Sequence, residues 1–108
     1  RANLLRTFLM TSDIMLLDEP FGALDAITRM EMQEWLLDVL GEHKKTVLFI
    51  THDIDEAVFL SDKVYVLSNR PASVTSTVDI RLKRPRAREF LTTQEFLNYK
   101  NIILKALN

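Results

Sequence analysis

The stretch IMLLDEPFGALD, residues 14–25, runs an apolar segment directly into two adjacent carboxylates, Asp18 and Glu19. A proline and a glycine then break the chain before a third acid, Asp25. Four consecutive apolar residues bounded by turn residues are typical of a strand that is buried on both faces in a parallel sheet. Because ligands of open α/β sheets bind beyond the carboxyl ends of the strands, the acid pair is predicted to lie at such a site.

A second apolar segment, residues 47–50, again contains β-branched residues and ends at polar residues that include His52. If the two strands are neighbours, the acid pair and the imidazole share one crevice, which suits a metal-bound phosphate. Asp18 is expected to hold Mg²⁺ directly or through water, because this hard cation prefers carboxylate oxygen. Glu19 is expected to orient a water and act as general base, and His52 to contact the terminal phosphate as a neutral donor.

Helical patterns alternate with these strands. Asp25 stands at the N-cap position of a helix that Gly41 is predicted to end. Asp53 and Glu56 have the spacing of a capping box, which predicts a short helix up to residue 60. Helical spacing also predicts a first helix at residues 2–10. The inward residues of the helix after Asp25 are predicted to be Ile27, Met30, Leu36, Leu37 and Leu40.

The last part of the chain predicts a hairpin and a terminal helix. A strand at residues 64–67 and a half-exposed strand at 76–80 form the predicted peripheral hairpin. Residues 81–88, RLKRPRAR, carry five positive charges in eight positions. Such a run could contact lipid headgroups or nucleic acid, but a solvated connector is the expected form. Thr92 and Glu95 have capping-box spacing for the terminal helix. Its inward residues are predicted to be Phe96, Leu97, Ile103, Leu104 and Leu107. The order of elements predicts an α/β fold with a parallel core.

Composition excludes several classes of protein. The 108 residues carry 14 Lys and Arg against 15 Asp and Glu, a net charge of -1, so no nucleic-acid partner is expected. The chain has no cysteine, which rules out disulfides and thiolate metal sites within it. Its apolar runs are shorter than the roughly 20 residues that span a bilayer, which predicts a soluble, intracellular protein.

Two motifs together resemble one family. IMLLDEPFGALD closely resembles the Walker B motif and D-loop of ATP-binding cassette (ABC) transporter ATPases, and LFITHDIDEA, residues 48–57, resembles their histidine-switch region. RANLLRTF, residues 1–8, is similar to the helix that follows the signature sequence of the family. THDIDEAVFLSDKVYVLSNRP, residues 51–71, is most similar to importers of the nitrate, sulfonate and taurine group.

The resemblance implies a role for each matching residue. Asp18 matches the Walker B aspartate that binds the metal, and Glu19 matches the catalytic glutamate. His52 matches the switch histidine that contacts the γ-phosphate. Asp25 matches the D-loop aspartate at the interface between two nucleotide-binding domains, and it can cap its helix and still shape that contact.

The resemblance also implies a fold. We expect an α/β partial P-loop NTPase (RecA-like) core with parallel strands, followed by a C-terminal hairpin and helix. Residues 1–108 are expected to be the C-terminal part of one ABC nucleotide-binding domain, because the Walker A loop, glutamine loop and signature motif do not occur in them. The chain has two glycines, Gly22 and Gly41, and neither begins the Walker A pattern. The strand residues expected in the core are Leu16, Leu17, Leu48 and Phe49.

The function implied for the intact protein is ATP hydrolysis coupled to import of small anions such as nitrate, sulfonates or taurine. Its expected cofactors are ATP and Mg²⁺. Its expected partners are a second nucleotide-binding subunit in a homodimer, transmembrane permease subunits and, indirectly, a periplasmic or extracellular solute-binding protein. We expect it in the cytoplasm, peripheral on the inner face of the cell membrane, and we expect the isolated chain to be inactive.

Two other functions fit some of the same residues. The chain can be a non-catalytic α/β interaction or regulatory module derived from an ABC ATPase. It can also be a different Mg²⁺-binding α/β fold, such as a receiver or phosphatase-like domain with Asp18 as nucleophile, although His52 then has no evident task. A single acid after a strand is more often a cap or turn residue. The acid pair combined with a second strand that ends in Thr-His favours the ATPase.

Overall fold

The computed structural model describes residues 14–42, 46–67, 73–82 and 86–107. Within these ranges the elements are β1 (Ile14–Asp18), α1 (Ala26–Glu42), β2 (Thr46–Ile50), α2 (Ile54–Leu60), β3 (Lys63–Leu67), β4 (Val74–Asp79), a 3-10 helix (Arg88–Thr92) and α3 (Gln94–Leu107). The helix predicted at residues 2–10 lies outside the described residues. In the described ranges no helix combines the length and apolar character needed to cross a membrane. The chain divides into two compact units, Arg1–His52 and Asp53–Asn108.

The first unit contains a parallel pair of strands. β1 and β2 are in register from Ile14 opposite Thr46 to Asp18 opposite Ile50. The Glu19 N–H donates to the Ile50 carbonyl at 2.7 Å, so the hydrogen-bonded ladder continues one residue beyond β1. The prediction that the two apolar segments are neighbouring parallel strands is therefore confirmed. Since parallel strands run in the same direction, β1 and β2 both end at the same edge of the sheet.

The burial of this strand pair differs from the prediction. Met15 and Leu17 are 2% and 7% exposed, whereas Ile14 and Leu16 are 69% and 61% exposed. In β2, Leu48 is 54% exposed, and Phe49 is half-buried. Burial on both faces, and core positions for Leu16 and Leu48, were therefore wrong predictions. Successive side chains of a strand point to opposite faces, and a parallel sheet is buried on both only where other segments pack on each face.

α1 begins at the cap that the sequence predicts. The Oδ1 atom of Asp25 accepts a hydrogen bond from the Thr28 N–H at 2.8 Å. The helix does not end at Gly41 but includes Glu42. Leu36 and Leu37 are buried as predicted, with Met32, Gln33 and Val39. Ile27 and Met30 are 72% and 43% exposed, against prediction, because the buried face follows the i, i+4, i+7 spacing of Met32, Leu36 and Val39.

The second unit has its own hydrophobic core. β3 and β4 pair antiparallel from Lys63 opposite Asp79, with a bulge between Val66 and Leu67, which confirms the predicted hairpin. Asp53 caps α2, since its Oδ1 accepts from the Glu56 N–H at 3.2 Å. The core is formed by side chains of α2, the hairpin, the segment after it and α3: Val58, Val66, Val78, Ile80, Phe96 and Ile103.

The terminal helix is shifted in two respects from its prediction. Its cap is Thr93 rather than Thr92, because Thr93 Oγ1 accepts from the Phe96 N–H at 3.1 Å. Phe96 and Ile103 are buried, but three residues predicted to face inward are largely exposed: Leu97 (45%), Leu104 (40%) and Leu107 (53%). Leu97 and Leu104 each follow a buried residue by one position, which rotates them about 100° around the helix.

The basic run at residues 81–88 is not a uniformly solvated connector. The Arg81 side chain is 84% exposed, whereas that of Arg86 is 2% exposed. Arg86 Nη1 donates to three carbonyls at the end of α2: Val58 (3.2 Å), Phe59 (3.2 Å) and Ser61 (2.6 Å). Its Nη2 lies 3.5 Å from Asp62 Oδ1. The prediction is wrong at Arg86, because the last carbonyls of a helix lack partners within the helix and attract a cation.

Candidate functional site

The candidate site lies at the carboxyl edge of the β1–β2 pair. Asp18 is the last residue of β1, and Ile50 opposite it is the last residue of β2. Glu19 follows the first strand directly, and His52 lies two residues beyond the second. The parallel pairing therefore brings together two segments that are separated by about thirty residues in the sequence.

Glu19 and His52 lie at the same sheet edge, as the sequence predicted, and their side chains are in direct contact. The His52 Nδ1 atom and the Glu19 Oε1 atom form a hydrogen bond. An ionised carboxylate only accepts hydrogen bonds, and with Glu19 in that form Nδ1 is the donor. The His52 side chain is 85% exposed and that of Glu19 is 45% exposed. Both groups are accessible to a ligand that approaches from solvent.

The backbone of Glu19 is held in an uncommon conformation. Its φ of 44° lies in the left-handed region, which non-glycine residues rarely adopt. Such a conformation costs on the order of 1–3 kcal/mol and persists where the surrounding contacts determine it. Here the Glu19 N–H donates to Ile50, and the Glu19 carbonyl accepts from the Gly22 N–H at 3.2 Å. The strained residue is therefore fixed on both sides, which is common at functional sites.

Asp25 lies at the other end of the loop that begins at Glu19. Its side chain is engaged at the N-terminus of α1 through Thr28, and its carbonyl accepts from the Arg29 N–H at 2.8 Å. The structure thus places Asp25 as a helix cap. Its predicted second role, at an interface between two domains, stays a prediction.

Asp18 is exposed at the end of β1. Among the described residues, no group of three or more His, Asp or Glu side chains is arranged to hold a metal ion. Mg²⁺ commonly uses one or two protein carboxylates and takes its other ligands from phosphates and water. An exposed Asp18 next to Glu19 fits that mode of binding, in which the nucleotide carries most of the coordination, better than an all-protein metal cage.

Sequence reasoning missed one residue of this region. Arg29, in α1, donates from Nε to the Phe21 carbonyl at 3.2 Å and from Nη2 to the Leu24 carbonyl at 2.9 Å. Both acceptors belong to the loop between Glu19 and Asp25. A basic residue one turn into the helix that follows a Pro/Gly loop is the signal that could have indicated this contact.

Comparison with known proteins finds homologues that are ABC transporter ATP-binding proteins. An uncharacterized ABC transporter ATP-binding protein of Methanocaldococcus jannaschii is 49% identical over 107 residues, which is 99% of this chain and 39% of that protein. The chain is a homologue of ABC transporter ATP-binding proteins. The predicted resemblance of the chain to this family is therefore confirmed. A scan against models of protein families finds no match.

Two further ABC relatives carry more specific names. The nitrate import ATP-binding protein of Synechococcus elongatus is 50% identical over 90 residues, covering 82% of this chain and 33% of that protein. The aliphatic sulfonates import ATP-binding protein of Bacillus cereus is 41% identical over 95 residues, covering 88% of this chain and 38% of that protein. The chain spans between 33% and 39% of the length of the three ABC relatives described here.

Proposed function

We propose that this chain supplies the metal-binding and general-base part of the ATP-hydrolysing site in the ATP-binding subunit of an ABC importer. The observation that carries the proposal is the hydrogen bond between His52 and Glu19 at the carboxyl edge of a parallel strand pair, next to Asp18. An acid, a candidate base and an imidazole at one sheet edge suit the hydrolysis of a phosphate ester or anhydride.

Glu19 is the proposed general base. Its Oε1 atom accepts from His52, so the hydrogen bond orients the carboxylate and Oε2 is the oxygen proposed to receive the hydrogen of the attacking water. A correctly placed base contributes roughly a hundredfold to ten-thousandfold to such a reaction. The left-handed backbone of Glu19 supports this assignment, because strain of this kind concentrates at sites where a side chain must be aimed.

Asp18 is the proposed ligand of Mg²⁺ bound together with ATP. When bound, the ion would neutralise negative charge on the phosphates. The proposed task of Asp18 is to fix the position of the ion at the end of β1. With the ion held there, its neighbour Glu19 would be available to the water that attacks the phosphate.

The hydrogen bond to Glu19 limits what His52 can donate to a phosphate. With Nδ1–H bonded to Glu19, the second ring nitrogen of a neutral imidazole is an acceptor and cannot donate to a phosphate oxygen. His52 can hold Glu19 and contact the γ-phosphate at the same time only as an imidazolium, which donates from both nitrogens. The neutral donor expected from the sequence stays a prediction for a state in which Nδ1 does not donate to Glu19.

The remaining roles concern the whole protein. We propose that residues 1–108 are the C-terminal part of one nucleotide-binding domain, and that Asp25 lies where two such subunits meet in a homodimer. The dimer is proposed to bind permease subunits at the cytoplasmic face of the membrane. The names of the nitrate and sulfonate relatives support a small oxyanion or sulfonate as the solute. The chain lacks a Walker A pattern, so we propose that it is inactive in isolation.

The test is Glu19→Gln in a complete ATP-binding subunit that carries this sequence. The amide keeps the size of the side chain but removes its basicity, so turnover should fall at least a hundredfold while ATP binding is kept. Glu31→Gln, at an exposed position of α1, is the matched control and should hydrolyse ATP normally. Normal steady-state hydrolysis by Glu19→Gln would remove Glu19 from the proposed role.

A further inference from the structure

We propose that Arg29 is a positioning residue that braces the loop between Glu19 and Asp25, here called the brace loop (residues 19–25). The inference rests on the proposed function, because it assigns Arg29 the task of holding the proposed base and the proposed interface residue in place. It concerns a side chain that neither the apolar pattern nor the motifs of the sequence had singled out.

The contacts of Arg29 reach both halves of the brace loop. Nε donates to the Phe21 carbonyl at 3.2 Å, and Nη2 donates to the Leu24 carbonyl at 2.9 Å. The side chain is part-buried between α1 and the loop that precedes this helix. Two carbonyls that lie three residues apart are therefore fixed to one planar group.

Backbone hydrogen bonds also lie within the brace loop. The Gly22 N–H donates to Glu19 at 3.2 Å and the Leu24 N–H donates to Phe21 at 3.3 Å, which forms two successive turns. Phe21 is fully buried and anchors the centre of the loop. Arg29 adds the bonds that connect these turns to α1, and Glu19 lies at the start of the first turn.

The chemistry of arginine explains why this residue type is required. A guanidinium presents several N–H donors in one rigid plane. Ordering this one side chain therefore lets it donate to two carbonyls, and less conformational entropy is lost per hydrogen bond. Lysine offers a single flexible ammonium and cannot reproduce the pair of contacts. Hydrogen bonds from a charged donor are strong enough that their loss should shift the loop equilibrium by roughly tenfold to a hundredfold.

The first experiment tests the brace in the chain itself. Amide hydrogen exchange is followed in the wild type, Arg29→Ala and Arg29→Lys. Exchange at Gly22 and Leu24 should accelerate roughly tenfold to a hundredfold in both variants, with exchange in α2 unchanged. The matched control is Arg81→Ala, which removes an exposed guanidinium and should leave both amides unchanged. Unchanged protection of the Gly22 and Leu24 amides from exchange in the Arg29 variants would contradict the proposal that Arg29 braces the loop.

The second experiment tests positioning in the complete ATP-binding subunit. Arg29→Ala should lower kcat about tenfold while KM for ATP stays within about twofold, because the loss affects the placement of Glu19 rather than nucleotide binding. Guanidinium at low, non-denaturing concentration should restore part of kcat in Arg29→Ala and leave Arg81→Ala unaffected. A normal kcat, or a loss without guanidinium rescue, would overturn the positioning role.

The two proposals fail in distinguishable ways. If Glu19→Gln abolishes turnover and the Arg29 variants turn over normally, Arg29 is not a positioning residue and the proposed function stands. If Glu19→Gln hydrolyses ATP normally, the proposed function fails, while hydrogen exchange still decides whether Arg29 braces the loop. Should Arg29→Ala fail to fold, Arg29→Lys supplies the same measurements.

Discussion

The two strand pairs of this chain differ in how their apolar side chains are buried. The antiparallel pair, β3 and β4, packs on its own core and leaves its other face in solvent, as antiparallel sheets commonly do. The parallel pair, β1 and β2, exposes four large apolar side chains on one face: Ile14, Leu16, Leu48 and Ile50. Parallel sheets are normally covered on both faces. The strand pair that carries the candidate site therefore exposes an apolar face of the kind that parallel sheets normally bury.

The largest expected effect tests whether the second unit is held by its own core. Phe96 is 3% exposed and lies edge-on to the Phe90 ring, with centroids 5.6 Å apart. Phe96→Ala should lower the free energy of unfolding by about 3–5 kcal/mol, because it removes buried contacts and leaves a cavity. Leu97→Ala, the adjacent and 45% exposed position, is the matched control. If denaturant unfolding showed equal losses of unfolding free energy in Phe96→Ala and Leu97→Ala, the second unit would not be held by its buried core.

A smaller effect is expected at the buried arginine of the same unit. Arg86→Met keeps much of the side-chain volume but leaves the carbonyls at the end of α2 without their cation. The variant should lose about 1–3 kcal/mol of stability. Arg81→Met should change stability by less than about 0.5 kcal/mol, since its side chain is exposed. A thermal unfolding curve of Arg86→Met that overlays the wild type would show that the contact contributes nothing.

The weakest expected effect concerns the exposed face of the parallel pair. Apolar surface and open strand edges favour association, so the isolated chain should self-associate as its concentration rises in light scattering. Leu16→Lys places a charge in the middle of this face and should shift the chain towards the monomer. Tyr65→Lys, an exposed aromatic position of β3 in the second unit, is the control and should not. A wild-type chain that stays monomeric at high concentration would contradict the prediction.

Local chemistry made part of this structure predictable. Asp25 and Asp53 cap their helices as their positions before apolar helical patterns indicate, since a cap depends only on residues within one turn. The proximity of Glu19 and His52 was also predictable, because two short apolar segments separated by a helix favour parallel neighbours whose carboxyl ends meet. Both features depend on spacing along the chain and on the rules of strand pairing.

The errors arise where burial depends on distant segments. An apolar run such as residues 14–17 shows that a strand can be covered on both faces, but not which segments of a given chain cover it. The helical pattern of α3 left its rotation uncertain by one residue, and that was enough to misplace Leu97 and Leu104. Arg86 was misplaced because the carbonyls of Val58, Phe59 and Ser61, in and just after α2, lie more than twenty positions earlier, and a charge run does not reveal such a contact.

The left-handed backbone at Glu19 has a consequence for engineering this protein. Glycine would occupy that φ without steric cost, so Glu19→Gly is expected to relieve about 1 kcal/mol or more of conformational strain. A library screened for thermal resistance alone would tend to collect this replacement, and with it the loss of the carboxylate that contacts His52. Selection for heat tolerance should therefore hold position 19 constant.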